Sequence, residues 1–243
     1  MAKRLTMMIL RNIFIFPIVL FRLFLYAKND KLSEQKKYEL IRVIGTKGCK
    51  GGNVRVHGYG LEHLKSQSGY IMYPNHQGLF DVMGLVDINP IPFSVVIKKE
   101  AYRVFGLREI IQTMDGLFLD RDNVRQGLWV INEVARQVQA GRNYLIFPEG
   151  TRSKNGNHLG EFKGGSFKAA LKAKCPIIPI AFIDTYLAFD ANSTKMIDVQ
   201  IHVLEPIPYE EYQGMKTAEI AEMVKARIQK TISENEHRYE NRL

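Results

Sequence analysis

From Asn53 onward, short apolar runs alternate with stretches of helical periodicity, and this alternation restricts the fold more than any other feature of the chain. Seven runs read as strands, at residues 54–57, 70–73, 93–97, 116–119, 143–147, 177–182 and 198–204. The clearest intervening helix is 122–140, where Val124, Leu128, Ile131, Ala135 and Val138 share a face and Gly141 offers a stop. A second amphipathic helix covers 217–232. Strands interleaved with helices predict an α/β fold, with a mixed, largely parallel central sheet of about seven strands flanked by helices. With 243 residues and 46% hydrophobic content, the chain can bury one such core.

The N-terminus has a different character. Residues 5–27 are dominated by Ile, Leu, Phe, Met and Val, and as one helix they would extend roughly 34 Å. Arg11 and Arg22 interrupt the stretch, and Pro17 lies inside its longest apolar run, 13–21. At about 100° per residue, Arg4, Arg11 and Arg22 fall within about 40° of one another, forming one cationic stripe on a continuous helix. That pattern favours an interfacial or shallowly re-entrant segment in the headgroup plane, kinked at Pro17. Its alternatives are a spanning helix and a buried core helix whose arginines snorkel. No small-residue cleavage site follows Tyr26, which argues against a signal peptide.

Charge follows the same division. In residues 1–31 six cations face Asp30 alone, giving +5 of the net +9. Such a balance suggests an anionic partner, whether nucleic acid, phospholipid or a phosphorylated small molecule, and its position on an apolar segment favours phospholipid. The remaining +4, without an aromatic–basic stripe, argues against nucleic acid. Residues 31–44 (KLSEQKKYELIRVI) predict a further helix closed by Gly45. The glycine-rich GTKGCKGGN that follows lacks phosphate-loop spacing and reads as a linker. Residues 1–47 therefore separate as anchoring helices from a domain of 48–243. Cys49 and Cys175 show neither metal spacing nor a disulfide framework, which points to a reducing, cytosolic-side environment.

Two polar stretches follow predicted strands. In YPNHQGLFDV (73–82), Pro74 biases Tyr73 toward an extended conformation and ends the strand. On a straight helix His76 and Asp81 would sit roughly 140° apart. They meet only if the histidine lies in the turn and the aspartate in the first turn of the next helix. A strand end is where open α/β sheets bind ligands. A His–Asp pair without a nucleophile suits general-base chemistry, the carboxylate fixing the imidazole tautomer. The plainer alternative is a loop histidine with Asp81 as a helix cap. FPEGTRS (147–153) follows the strand NYLIF. There Gly150 permits close backbone approach and Arg152 offers a forked donor for phosphate or carboxylate. GLFLDRD (116–122) places Arg121 just past a strand, Lys98 and Lys99 follow FSVVI, and CPIIPI (175–180) reads as a structural pocket wall.

These blocks, in this order, resemble the 1-acyl-sn-glycerol-3-phosphate acyltransferase family. NHQGLFD is similar to its NHxxxxD block, FPEGTRS to its EGTR block, GLFLDR to its arginine-bearing block and CPIIPI to its proline-containing one. The likeness covers roughly residues 54–205. It departs at Gly78–Leu79–Phe80, where many relatives carry a serine and another aromatic, a difference that bears on acceptor preference. The resemblance implies an enzyme of phospholipid synthesis that moves a fatty acyl group from a thioester to the sn-2 hydroxyl of a lysophosphatidic acid, giving phosphatidic acid. His76 would be the base and Asp81 its orienting partner, making 48–243 the catalytic domain. Arg121 and Arg152, with Lys98, would hold the phosphate; Glu149 would align the glycerol, and backbone N–H groups near Gly150 would stabilise the oxyanion. Thr151 joins the substrate-binding set through the EGTR match. No metal or other cofactor is implied: acyl-CoA or acyl-carrier protein enters as the donor substrate, and the enzyme would sit on the cytoplasmic face of the cell membrane. The competing readings are glycerol 3-phosphate or another lysophospholipid as acceptor, a serine- or cysteine-dependent acyl transferase or hydrolase built on GGSFK (164–168), and a non-enzymatic basic lipid- or RNA-binding protein.

Overall fold

A seven-stranded sheet organises the computed structural model, which describes residues 2–65 and 68–239. The strands are β1 Val54–Tyr59, β2 Ile71–Pro74, β3 Ser94–Lys98, β4 Leu117–Leu119, β5 Tyr144–Leu145, β6 Ile177–Ile183 and β7 Ile197–Val203, one in each segment the apolar runs predict. Their order across the sheet is β1-β7-β6-β2-β5-β3-β4. Only β6 and β7 pair antiparallel, so β1 and β7 point opposite to the other five strands. Every residue of β6 is buried. A strand covered on both faces loses the alternating pattern, which is why CPIIPI reads as a continuous apolar run.

Helices α1 Ala2–Arg11, α2 Phe16–Ala27 and α3 Glu34–Gly51 precede the sheet. A single turn, α4 Glu62–Lys65, follows β1, and α5 Phe80–Ile88 follows β2. The later helices are α6 Leu107–Thr113, α7 Val124–Gln139, α8 Lys168–Ala173, α9 Leu187–Asp190, α10 Tyr209–Tyr212 and α11 Thr217–Asn235. The two-residue period of β2 divides the core. Ile71 and Tyr73 face α7, α8 and α11, packing with Val134, Ala170 and Val224. Met72 faces the opposite layer, with Leu23 of α2, Tyr38 of α3, Leu85 of α5 and Ile111 of α6. In α7, Val130, Val134, Ala135 and Val138 turn inward, and the Asn123 side chain caps the first turn by accepting the Gln126 N–H at 3.0 Å.

Two expectations about the N-terminal third are corrected. The helix predicted to close at Gly45 continues to Gly51, so most of GTKGCKGGN is helical and no linker. Its glycines serve close packing: a Cβ at Gly48 would lie 2.7 Å from Met83 Sδ, and one at Gly45 would lie 3.0 Å from Val86 Cγ1. Backbone-to-helix contact with α5 is the reason a stop signal appears mid-helix.

The second correction concerns the arginine stripe. Helices α1 and α2 meet at an 89° bend, and Pro17 starts α2 where its missing N–H costs no hydrogen bond. The phase relation across residues 4–22 is therefore lost. Arg4 is buried and donates to the carbonyls of Gly52 and Asn53, while Arg11 donates to Asn53 Oδ1 at 2.6 Å. Both lock α1 onto the C-terminal end of α3, where helix carbonyls lack intrahelical partners. Arg11 stays exposed despite that bond, as does Arg22, so only Arg4 is taken out of solvent. Among the described residues no single helix is long and apolar enough to cross a membrane, although the bent pair meets that length and composition together.

Candidate active site

β2 ends at Pro74, and the chain is then spliced into the neighbouring strand. Asn75 is buried, its Nδ2 donating to the Phe182 carbonyl at 2.9 Å and its Oδ1 accepting the Phe182 N–H at 2.7 Å. This fixes the loop at the C-terminal ends of β2 and β6 and presents His76 beside the first turn of α5. His76 Nδ1 then lies 2.8 Å from Asp81 Oδ2.

Asp81 is fully buried. Its Oδ2 also accepts the N–H groups of Gln77 at 2.8 Å and Gly78 at 3.0 Å, and its Oδ1 lies 2.7 Å from Thr185 Oγ1. The buried carboxylate thus has four donors around it, one from the histidine, one from the threonine and two from backbone. It accepts only, so Nδ1 carries the proton and Nε2 is left with its lone pair. The His76 ring packs on Phe147, centroids 4.0 Å apart, with its side chain 22% exposed. Asp81 thus meets the histidine and ties down the Gln77 and Gly78 amides of the loop entering α5; it is not the helix's N-cap, which is Leu79 and carries no side-chain cap bond.

The EGTR segment closes over this loop. Glu149 is buried, its Oε1 accepting the His76 N–H at 2.8 Å and its Oε2 the Gly160 N–H at 3.1 Å. Burial raises its pKa, and the two backbone bonds oppose that rise. Its carboxylate clamps the histidine loop, an employment the expected contact with glycerol did not anticipate. Gly150 adopts φ +70°, which side-chain-bearing residues rarely adopt, and its N–H bonds the Phe147 carbonyl at 3.2 Å. That amide is spent on the turn. Ser153 N–H donates to the His76 carbonyl at 2.7 Å, bringing Thr151 and Arg152 close to the loop. Arg152 pairs with Asp190 at 3.2 Å and lines a cleft of about 340 Å³ together with Thr151, Lys154 and Lys163.

Lys98 and Arg121 lie farther out. Lys98 ends β3 and pairs in register with Leu119, two residues before Arg121. β3 and β4 are two and three strands from β2, about 10 and 14 Å away at ordinary strand spacing. Both side chains are exposed. In the divergent Gly78–Leu79–Phe80 stretch, Phe80 is buried edge-on against Phe189 and only Leu79 is exposed. Cys49 and Cys175 are buried and unpaired, with burial pushing Cys175 up to about 12, which makes neither a ready nucleophile.

Sequence reasoning missed the polar layer beneath the dyad. Thr185 N–H donates to Gln77 Oε1 at 2.9 Å, Gln77 Nε2 donates to Asn157 Oδ1 at 2.8 Å, and Asn157 Nδ2 donates to Asp184 Oδ1 at 2.9 Å. A signal did exist: DTY follows β6 directly, a third polar strand end beside those of β2 and β5.

A largely parallel array thus carries a hydrogen-bonded His–Asp pair at one strand end, with a cationic loop beside it. The chain belongs to the Acyltransferase family, whose model matches residues 54–183. It is 30% identical over 161 residues to human 1-acyl-sn-glycerol-3-phosphate acyltransferase alpha, covering 65% of this chain and 56% of that protein. It is 33% identical over 172 residues to the 1-acyl-sn-glycerol-3-phosphate acyltransferase of Cocos nucifera, covering 69% and 54%. The match therefore spans little more than half the length of these curated relatives. In three dimensions it resembles the crystal structure of the 1-acyl-sn-glycerophosphate acyltransferase of Thermotoga maritima, with TM-score 0.75 and 23% identity over 94% of this chain and 91% of that one. That likeness concerns the fold.

Proposed function

We propose that the protein transfers a fatty acyl group from acyl-CoA or acyl-carrier protein to the sn-2 hydroxyl of 1-acyl-sn-glycerol 3-phosphate, giving phosphatidic acid. The observation that carries this reading is the 2.8 Å contact of His76 Nδ1 with a fully buried Asp81, which leaves Nε2 as a base. In this reading Nε2 takes the hydroxyl proton as the oxygen attacks the thioester carbonyl, Asp81 balances the resulting imidazolium, and the proton leaves with the thiolate. Arg152, in the cleft beside the loop, and Arg121 hold the acceptor's phosphate with Lys98, and positioning two substrates in this way lowers the barrier by several kcal/mol. Glu149 contributes by fixing the His76 backbone. The α1–α2 elbow rests in one leaflet at the cytoplasmic face of the membrane, which supplies the amphiphilic acceptor. Exposure of Ile13, Phe14, Ile18 and Phe21 supports that placement.

The deciding experiment crosses lysophosphatidic acid and glycerol 3-phosphate with acyl-CoA and acyl-carrier protein donors and identifies products by mass. Phosphatidic acid is expected. Turnover with glycerol 3-phosphate alone would move the assignment to the earlier acylation, and no product with any pair would remove it.

A further inference from the structure

Exposed apolar side chains are unevenly distributed over this molecule. Beyond residue 27, nine large ones are exposed among the described residues, and only Val43 and Met196 stand apart from a single region. The other seven leave the C-terminal ends of three strands. Leu79 follows β2; Tyr102, Val104 and Phe105 follow β3; Val124, Leu128 and Trp129 follow β4. Strands β2, β5, β3 and β4 are parallel neighbours, so these ends lie along the sheet edge that carries His76. Phe105 is 67% exposed and Val124 85%. A soluble surface rarely gathers so many large apolar groups at one edge unless something covers them.

Two further observations identify the covering. The rim continues from the N-terminal elbow, because the Phe105 ring meets Phe24 of α2 at 5.9 Å and Tyr102 packs edge-on against Phe118 of β4 at 5.2 Å. The same loops carry Lys98, Lys99, Arg103, Arg121 and Arg125 against Glu100, Asp120 and Asp122, an excess that suits anionic headgroups. Trp129 lies five residues into α7 from Val124, about 7.5 Å along the helix axis, a depth suited to an indole at the headgroup level.

We infer that this rim is a second membrane-contacting surface, through which the catalytic domain itself lies on the bilayer with the His76 edge of the sheet facing the lipid. The inference rests on the proposed lipid acceptor and adds an orientation to it. The anchor helices are packed onto the domain through Arg4, Arg11 and Leu23, and the rim extends their surface to the β3 and β4 ends of the sheet. With the rim engaged, an amphiphile passes from the leaflet to His76 without leaving the interface.

Trp129 is the single tryptophan of the chain, so its fluorescence reports on the rim alone. Full-length protein is mixed with phosphatidylcholine–phosphatidylglycerol vesicles, with and without bromine on the acyl chains. Binding is expected to shift the emission to the blue, and brominated lipid is expected to quench it. A Phe105→Ser, Val124→Ser double variant, altered only at exposed positions, should bind vesicles about tenfold more weakly with an unchanged melting temperature. Cosedimentation with vesicles without any change or quenching of Trp129 would overturn the inference, leaving the elbow as the sole contact. Failure to cosediment would overturn rim and anchor together. An emission already blue-shifted without lipid, in a protein that sediments as a dimer, would overturn it in favour of a second copy on this surface. Quenching in a protein that transfers no acyl group would support the rim while removing the acyltransferase reading.

Discussion

Phe14, at the turn between α1 and α2, is 90% exposed, whereas Asp81, at the start of α5, is fully buried. The elbow leaves apolar groups exposed, and the His76 loop with the segments packed on it buries Asn75, Gln77, Asp81, Glu149 and Thr185. Each region departs from the ordinary partition of residues, in opposite senses. Buried polar groups are tolerable only when bonded, and those five are bonded to one another or to backbone. Exposed apolar groups carry no such internal compensation; a partner must cover them. Such departures mark where function has overridden stability. In the proposed function they serve two separate tasks: the buried network would hold His76 in one tautomer, and the exposed elbow would hold the chain at a lipid surface.

The largest expected effect falls on the buried side of this comparison. His76→Ala should lower turnover by roughly a thousandfold while vesicle binding and thermal melting stay unchanged. Retained turnover would sink the dyad. On the exposed side, Phe14→Asp should weaken vesicle cosedimentation by more than tenfold without altering the melt. A shifted melting temperature would show that the elbow is instead part of the packed core.

Thr185 gives a finer test. Its hydroxyl lies 2.7 Å from both Asp81 Oδ1 and Gln77 Oε1, yet it has one proton to give, and the carboxylate is the stronger acceptor. Thr185→Val should lower kcat about tenfold at nearly constant KM, and Thr185→Ser should restore it. A uniform loss in both variants would indicate that the residue only packs.

The smallest effect belongs to a buried polar group remote from the site. Burial pushes His202 down to about 4 from an ordinary 6.5. Below about pH 6.5 the unfolded chain binds a proton there that the folded chain refuses until about pH 4. Stability contributed by the neutral ring is therefore present above pH 6.5 and is lost as pH falls across that window. His202→Gln should flatten the dependence of denaturant midpoints on pH and leave kcat untouched. An effect on kcat like that of Thr185→Val would show that polar burial near the dyad is ordinary architecture.

How much of this was legible beforehand depends on the range of the interaction involved. Each of the seven strands falls where an apolar run lies, because strand burial is written residue by residue. The His76–Asp81 pairing followed from five residues of spacing and a strand-to-helix turn. Glycine misled: in 45–52 it marks backbone contact with α5 and α1, which no local pattern distinguishes from a stop. The arginine stripe failed because helical phase survives only as long as the helix, and the 89° bend ends it.

By itself the sequence determined the α/β alternation, the charge-rich apolar N-terminus and the His76–Asp81 pair, all encoded within a few residues. Only the tertiary structure decided that Arg4 and Arg11 bind the end of α3, that Glu149 clamps the histidine loop and that Thr185 reaches Asp81 from 104 positions away. The physical reason is strand adjacency. β2 and β6 are neighbours in the sheet and far apart in the chain, and a hydrogen bond depends on distance in space, which sequence separation does not record.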